Sequence, residues 1–195
     1  MRFLHVGCGP ARPFTAPCFR GEWQEVRLDI DPGVQPDLLA SITDMRCVAD
    51  SGFDGLFSSH NLEHLYPHEV IIALKEFRRV LKPDGFAVIT VPDLQAVCAQ
   101  VAENRLAETA YLSQAGPIAP LDMLYGFRPA LAAGNLYMAH RCGFTLSLLV
   151  ASLREAGFPS YFGLRRPQAF DLWVLAHASA LSDTALRELA RLHLP

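Results

Sequence analysis

The sequence has 195 residues, enough for one α/β domain and too few for two of ordinary size, and its net charge of −3 offers no electrostatic footprint for nucleic acid. Hydrophobic residues make up 51% and charged residues 19%, an apolar balance that leaves surface for a partner or ligand; a homodimer is the simpler occupant, a greasy substrate the sharper one. No uncharged run approaches the roughly 18 apolar residues of a membrane span. No charged-then-apolar leader opens the sequence, and the cysteines at 8, 18, 47, 98 and 142 form no Cys-x-x-Cys pair, so a reducing, cytoplasmic setting without disulfides is expected.

Phe3-Leu4-His5-Val6 is an apolar run that breaks into Gly7-Cys8-Gly9-Pro10, and Val26-Arg27-Leu28-Asp29-Ile30-Asp31 is a second run ending in Asp. This pattern presents a nucleoside at the strand ends of an α/β fold. Gly7 and Gly9 lack Cβ, so the turn can take angles closed to other residues and a ligand can pack on bare main chain. Asp29, twenty positions after Gly9, offers two acceptor oxygens to the paired hydroxyls of a ribose. The third glycine of the dinucleotide fingerprint is replaced by Arg12, and Pro10 removes an amide beside the turn. Both changes argue against a pyrophosphate and for a cofactor with adenosine but no phosphate.

Between the two runs, Pro10, Pro13, Pro17 and Gly21 make a full first helix doubtful, and Trp23 is expected to pack on the sheet. Asp37 to Ser41 reads as a short third strand and Phe53 to Ser59 as a fourth. Pro67 opens a helix to about Leu81, with Val70, Leu74, Phe77 and Leu81 on one stripe. Lys82-Pro83-Asp84-Gly85 stops it, and Phe86 to Val91 has the continuous apolarity of a strand buried on both faces. Residues 93–144 fit no strand, and so long a connection in a compact domain is usually a lid or binding loop. Thr145 then caps a helix closed by Gly157; Tyr161 to Leu164 and Phe170 to Ala176 look like the last strands, and a terminal helix runs from Ser182 or Asp183 to about Leu192.

Leu4-His5-Val6-Gly7-Cys8-Gly9 resembles the first motif of class I S-adenosylmethionine-dependent methyltransferases, with His5 where the family usually has an acid. Phe53-Asp54, Leu62-Glu63-His64, Arg79-Val80-Leu81-Lys82-Pro83-Asp84-Gly85 and Val91-Pro92-Asp93 resemble its most recognisable block. The resemblance runs from Phe3 to about Ala176. It implies a Rossmann-like α/β fold of one domain over residues 1–195: a mostly parallel seven-stranded sheet, an antiparallel edge hairpin, and a lid insertion at 93–144 covering cofactor and substrate. It further implies Asp44 and Met45 as the adenine contacts, the carboxylate for the amino group and the amide for the ring. The expected S-adenosylmethionine set is Gly7, Gly9, Asp29, Ile30, Asp44, Met45, Ser59 and His60.

The implied reaction is methyl transfer to a small-molecule acceptor, a sugar, lipid or other metabolite. His60, at a strand's C-terminal end, and His140, at the end of the cover, are the candidate bases. Tyr125, Phe127 and Tyr137 could face the sulfonium cation, although packing suits at least two of them better. His60-Asn61-Leu62-Glu63-His64 spells an inverted zinc-protease motif, but that motif needs one continuous helix, so no metal is expected. A nicotinamide-dependent oxidoreductase is one rival reading, and a methyltransferase-like module without turnover is the other.

Overall fold

A computed structural model describes residues 1–10, 18, 19 and 21–195. The first crossover, where a full helix is not expected, lies largely outside the described residues, with Arg12, Pro13 and Pro17 among those not described. Seven strands form one sheet: β1 (Arg2–Val6), β2 (Gln24–Asp29), β3 (Leu38–Leu39), β4 (Phe53–Ser59), β5 (Leu81–Pro92), β8 (Ser160–Arg166) and β9 (Asp171–His177). Their order is β3-β2-β1-β4-β5-β9-β8. All neighbours from β3 to β5 are parallel, and β9 runs antiparallel to both β5 and β8, which makes the expected hairpin at that edge.

Alternation along the strands divides the core into two layers. Leu4 and Val6, and Ala87 and Ile89, face α1 (Pro67–Val80) and α5 (Leu146–Glu155), whose buried stripes include Val70, Leu74 and Phe77, and Leu149 and Leu153. On the opposite face Phe3, Phe57, Phe86 and Trp173 meet Phe19, Trp23 and the apolar side of α6 (Asp183–His193). Trp23 therefore packs on the sheet as its size suggested. Gly55 makes room for it, because a Cβ there would stand 2.5 Å from Phe19 and 3.1 Å from Trp23. Thr145 and Ser182 cap α5 and α6 by accepting the amides of Leu148 and Ala185.

Two expectations are corrected. The Lys82-to-Gly85 turn does not separate helix from strand: β5 already begins at Leu81, and the turn persists as a register irregularity between the Phe53–Leu81 and Gly55–Phe86 pairings. Residues 93–144 are not strandless either. They hold α2 (Leu94–Ala102), a small ribbon of β6 (Tyr111–Ser113) and β7 (Gly116–Ile118), then α3 (Pro120–Tyr125) and α4 (Arg128–Ala132). Ile118, Met123 and Val97 give this segment its own small core, with Phe127 packed against it.

Asp122 ties that segment together. Its buried carboxylate accepts the amide of Ala119 at 2.9 Å and a two-point contact from Arg128 at 2.7 and 3.0 Å. Burial works against ionisation, but the guanidinium and amides outweigh it and hold the carboxyl below its ordinary value. The stabilisation is therefore present above about pH 4, the unfolded value, and is lost as pH falls through the lower folded one. Asp122→Ala is expected to cost about 1–3 kcal/mol, measured as a lower urea midpoint at pH 7 that converges on wild type in acid. Among the described residues no helix is long and apolar enough to cross a membrane.

Candidate active site

The strand order reverses direction of travel between β1 and β4, and at the C-terminal ends of these strands opens a cavity of about 730 Å³. Of the expected residues, Gly7, Gly9, Asp29, Ile30, Ser59 and His60 line it. Gly7 and Gly9 both have φ of +60°, and a Cβ on Gly7 would sit 2.5 Å from the Asn61 carboxamide. The turn thus needs glycine at its first position for both backbone and space.

Asp29 holds this turn in place. One of its carboxylate oxygens accepts the Gly9 amide at 2.8 Å and the other the Asp31 amide at 2.9 Å. Arg27 fixes the opposite side by donating to the carbonyls of Gly9 at 2.5 Å and Gln35 at 3.0 Å. His5, also on the cavity wall, is buried with Nδ1 2.7 Å from Glu25 Oε1. Burial pulls the His5 pKa down against the opposing pull of Glu25. An acidic group thus stands one step back from the cavity wall, behind an imidazole.

Asp44 and Met45 do not line the cavity. Met45 is fully buried in the core, its amide donates to Glu76 at 2.8 Å and its carbonyl accepts from Arg79, so no amide is left for an adenine ring. The Asp44 carboxylate is exposed and engaged two-fold by Arg46 at 2.7 Å. Ser41 and Ile42, just upstream, stand on the wall instead. Ser41 begins a tight turn in which its hydroxyl accepts the Thr43 amide, and that turn carries the chain away from the site before Asp44.

The segment following β5 completes the wall with Asn135, Tyr137, Met138 and Arg141. Of the three candidate aromatics, Tyr137 reaches this cavity, Tyr125 lines a smaller one of about 250 Å³, and Phe127 packs in the segment's own core. Nothing in the sequence pattern marked Asn135 or Arg141. Asn61 could have been found, because it follows directly on the strand end at Ser59 and His60.

His60 takes a left-handed backbone, φ +48°, and its amide donates to Thr90. Its side chain is half exposed, with Nδ1 3.3 Å from Oε1 of the buried Glu63, close enough for charge attraction but out of line for a hydrogen bond. Desolvation opposes a charge on His60, yet Glu63, with Asp171 beyond it, outweighs this and raises the imidazole pKa. For Glu63 burial pushes upward, and His60, His64 and His140 together hold its carboxyl below the ordinary range. Leu62–His64 is a single 3-10 turn, so the inverted zinc-protease geometry is absent.

His140, expected as a base at the cofactor, is not on that wall. Its Nδ1 lies 2.8 Å from the Met123 carbonyl, and the residue lines the smaller cavity with Glu63. Burial, only partly offset by Glu63, lowers its pKa.

A methyltransferase-domain family model matches residues 4–89. The fold is shared with a possible exported protein from Bordetella parapertussis (18% identity, TM-score 0.55), over 91% of this chain and 62% of that one, so the chain spans under two thirds of that protein. It is also shared with a possible histamine N-methyltransferase from Thermotoga maritima (11%, TM-score 0.55, 91% and 82%). A third likeness is the 1,6-didemethyltoxoflavin-N1-methyltransferase of Burkholderia thailandensis with bound S-adenosylhomocysteine (16%, TM-score 0.51, 92% and 71%). No curated protein matches the sequence. The matched methyltransferase-domain model covers β1 to β5, and the strand order with its reversed strand is the fold of these structures.

The cofactor that a methyltransferase domain implies is S-adenosylmethionine, and the residues of the cavity fit it. The glycine turn is a cradle that a Cβ at Gly7 would fill, and Asp29 is held by two amides with lone pairs to spare for ribose hydroxyls.

Proposed function

We propose that the protein transfers the methyl group of S-adenosylmethionine to a small-molecule acceptor, a sugar, lipid or other metabolite. The observation that carries this reading is the Asp29-held glycine turn opening into a roofed cavity at the sheet's switch point. When bound, the sulfonium supplies an activated methyl group for in-line displacement. The protein's part is to orient the partners and exclude water, and held near-attack geometry is worth several kcal/mol.

In this reading Gly7, Gly9, Asp29 and Ile30 hold the nucleoside, with Ser41 and Ile42 taking the adenine end first assigned to Asp44 and Met45. Because Glu25 is only an acceptor, His5 carries its proton on Nδ1 and keeps the other nitrogen's lone pair for the methionine ammonium. Ser59 and His60 flank the reacting end, and His60 is the residue positioned to take a proton from a hydroxyl or amine acceptor. Residues 93–144 are the cover, with Tyr137 the one candidate aromatic available to the sulfonium.

Calorimetric titration with S-adenosylmethionine, S-adenosylhomocysteine and NAD tests the reading. Micromolar binding of both adenosyl ligands and none of NAD is expected, followed by methyl transfer when acceptor libraries are screened with labelled cofactor. Tight NAD binding would replace the reading with an oxidoreductase, and cofactor binding without any transfer would favour a non-catalytic module.

A further inference from the structure

The smaller cavity is walled by groups that the methyl-transfer reading does not use. Glu63 is 1% exposed, yet among the described residues neither of its carboxylate oxygens has a hydrogen-bond partner. An unpartnered buried carboxylate costs several kcal/mol unless something compensates it. Around it stand His64 and His140, and the three side chains each offer a ligand atom within 4.8 Å of the others.

Both imidazoles are prepared in the same way. His64 Nδ1 lies 3.1 Å from the Ala139 carbonyl and His140 Nδ1 2.8 Å from the Met123 carbonyl. A carbonyl can only accept, so each ring carries its proton on Nδ1 and keeps the Nε2 lone pair free. Such an outer hydrogen bond to backbone is the usual support of a metal-ligating histidine. The backbone reinforces the cluster, because Arg141 and Cys142 donate their amides to the Glu63 carbonyl and the Arg141 side chain donates to the His64 carbonyl. These bonds lock the segment carrying His140 onto the turn carrying Glu63 and His64.

We propose that Glu63, His64 and His140 bind one divalent transition-metal ion. Two imidazole nitrogens and one carboxylate oxygen suit zinc, cobalt(II) or iron(II), and three protein ligands leave a coordination position open. His64 lines the cofactor cavity while Glu63 and His140 line the smaller one, so the ion would sit between residues of both walls. The metal would give the carboxylate the direct partner that His60, 3.3 Å away and out of line for a hydrogen bond, does not. This arrangement differs from the inverted zinc-protease pattern: His60 is left out, and His140 arrives from the distant cover segment.

The test uses the purified protein, stripped with a chelator, and is independent of cofactor binding. Titration with Co(II) is expected to give visible d–d absorption saturating at one equivalent and displaced by Zn(II). Zn(II) should raise the melting temperature of the stripped protein. Glu63→Gln and His140→Ala should each weaken Co(II) binding by more than about tenfold, since loss of even an outer partner can cost that much. His68→Ala, which alters an exposed histidine outside the cluster, should change nothing. Absence of saturable Co(II) binding, or binding that survives all of Glu63→Gln, His64→Ala and His140→Ala, would overturn the site. Circular dichroism and S-adenosylmethionine titration of each variant separate lost ligation from lost fold, and failure of the wild type to bind S-adenosylmethionine would count against the methyltransferase reading alone.

Discussion

Gly7→Ala is expected to weaken S-adenosylmethionine binding about a hundredfold, while Gly9→Ala weakens it only severalfold. Both residues have φ of +60°, so each alanine incurs the left-handed backbone cost of about 1–2 kcal/mol. They differ in what the new methyl group meets. At Gly7 it would lie 2.5 Å from the Asn61 side chain, which also lines the cavity, whereas at Gly9 none of the described residues stands within 4 Å. Displacing Asn61 brings the Gly7 total to about 3 kcal/mol, and every 1.4 kcal/mol is about tenfold in affinity. Calorimetry on the two variants checks this. Wild-type affinity in Gly7→Ala would remove the glycine turn from the site, and an equally large loss in Gly9→Ala would show that the ligand itself fills the space beside Gly9.

The largest effect on stability is expected at Asp93, where β5 hands over to the cover. Its fully buried carboxylate caps α2 by accepting the amides of Gln95 at 3.0 Å and Ala96 at 3.3 Å, and it pairs with Arg165 of β8. Asp93→Ala leaves that guanidinium, one-third exposed, without its partner and the helix start uncapped. Breaking a fully buried pair costs about 3–5 kcal/mol, so partial exposure sets the expectation near 3. For a chain of this size that is a fall of about 6–12 °C in Tm. Asp93→Asn, which retains one oxygen for the cap, should fall between Ala and wild type. The exposed Arg105–Glu108 pair provides the contrast, and its loss should leave Tm close to that of wild type. Scanning calorimetry distinguishes these cases; an Asp93→Ala variant melting with wild type would mean that the junction is held by backbone bonds such as Asp93 to Phe170.

The strands from Phe3 to Val91 were legible because burial on one or both faces imposes a pattern that few alternatives share. The stripe of α1 was legible for the same reason, with Pro67 marking its start. The β6–β7 ribbon was not, since Gly116 and Pro117 belong to turns as readily as to a short exposed pair of strands. Asp44 and Met45, expected at the adenine end, fall outside the cavity by a few residues. After the two-residue β3 no periodicity fixes the register, and a hydroxyl-centred turn at Ser41 diverts the chain before Asp44. The grouping of Glu63 and His64 with His140 had no local signal, because it comes from folding the cover back onto the turn after β4.

The position of β9 also bears on how this protein emerges from the ribosome. β5 is a twelve-residue strand at the heart of the sheet, yet on one side its partner is β9, which begins only at Asp171. While the intervening residues are being synthesised, β5 presents an unpaired edge flanked by Phe86, Val88 and Ile89, all apolar and all buried once the sheet is complete. The last strand to be inserted is thus also the one that seals the most aggregation-prone edge of the nascent chain. Slower translation between β5 and β9 is therefore expected to lower the soluble yield even when the finished fold is unchanged, which expression with synonymous slow codons in that stretch would check.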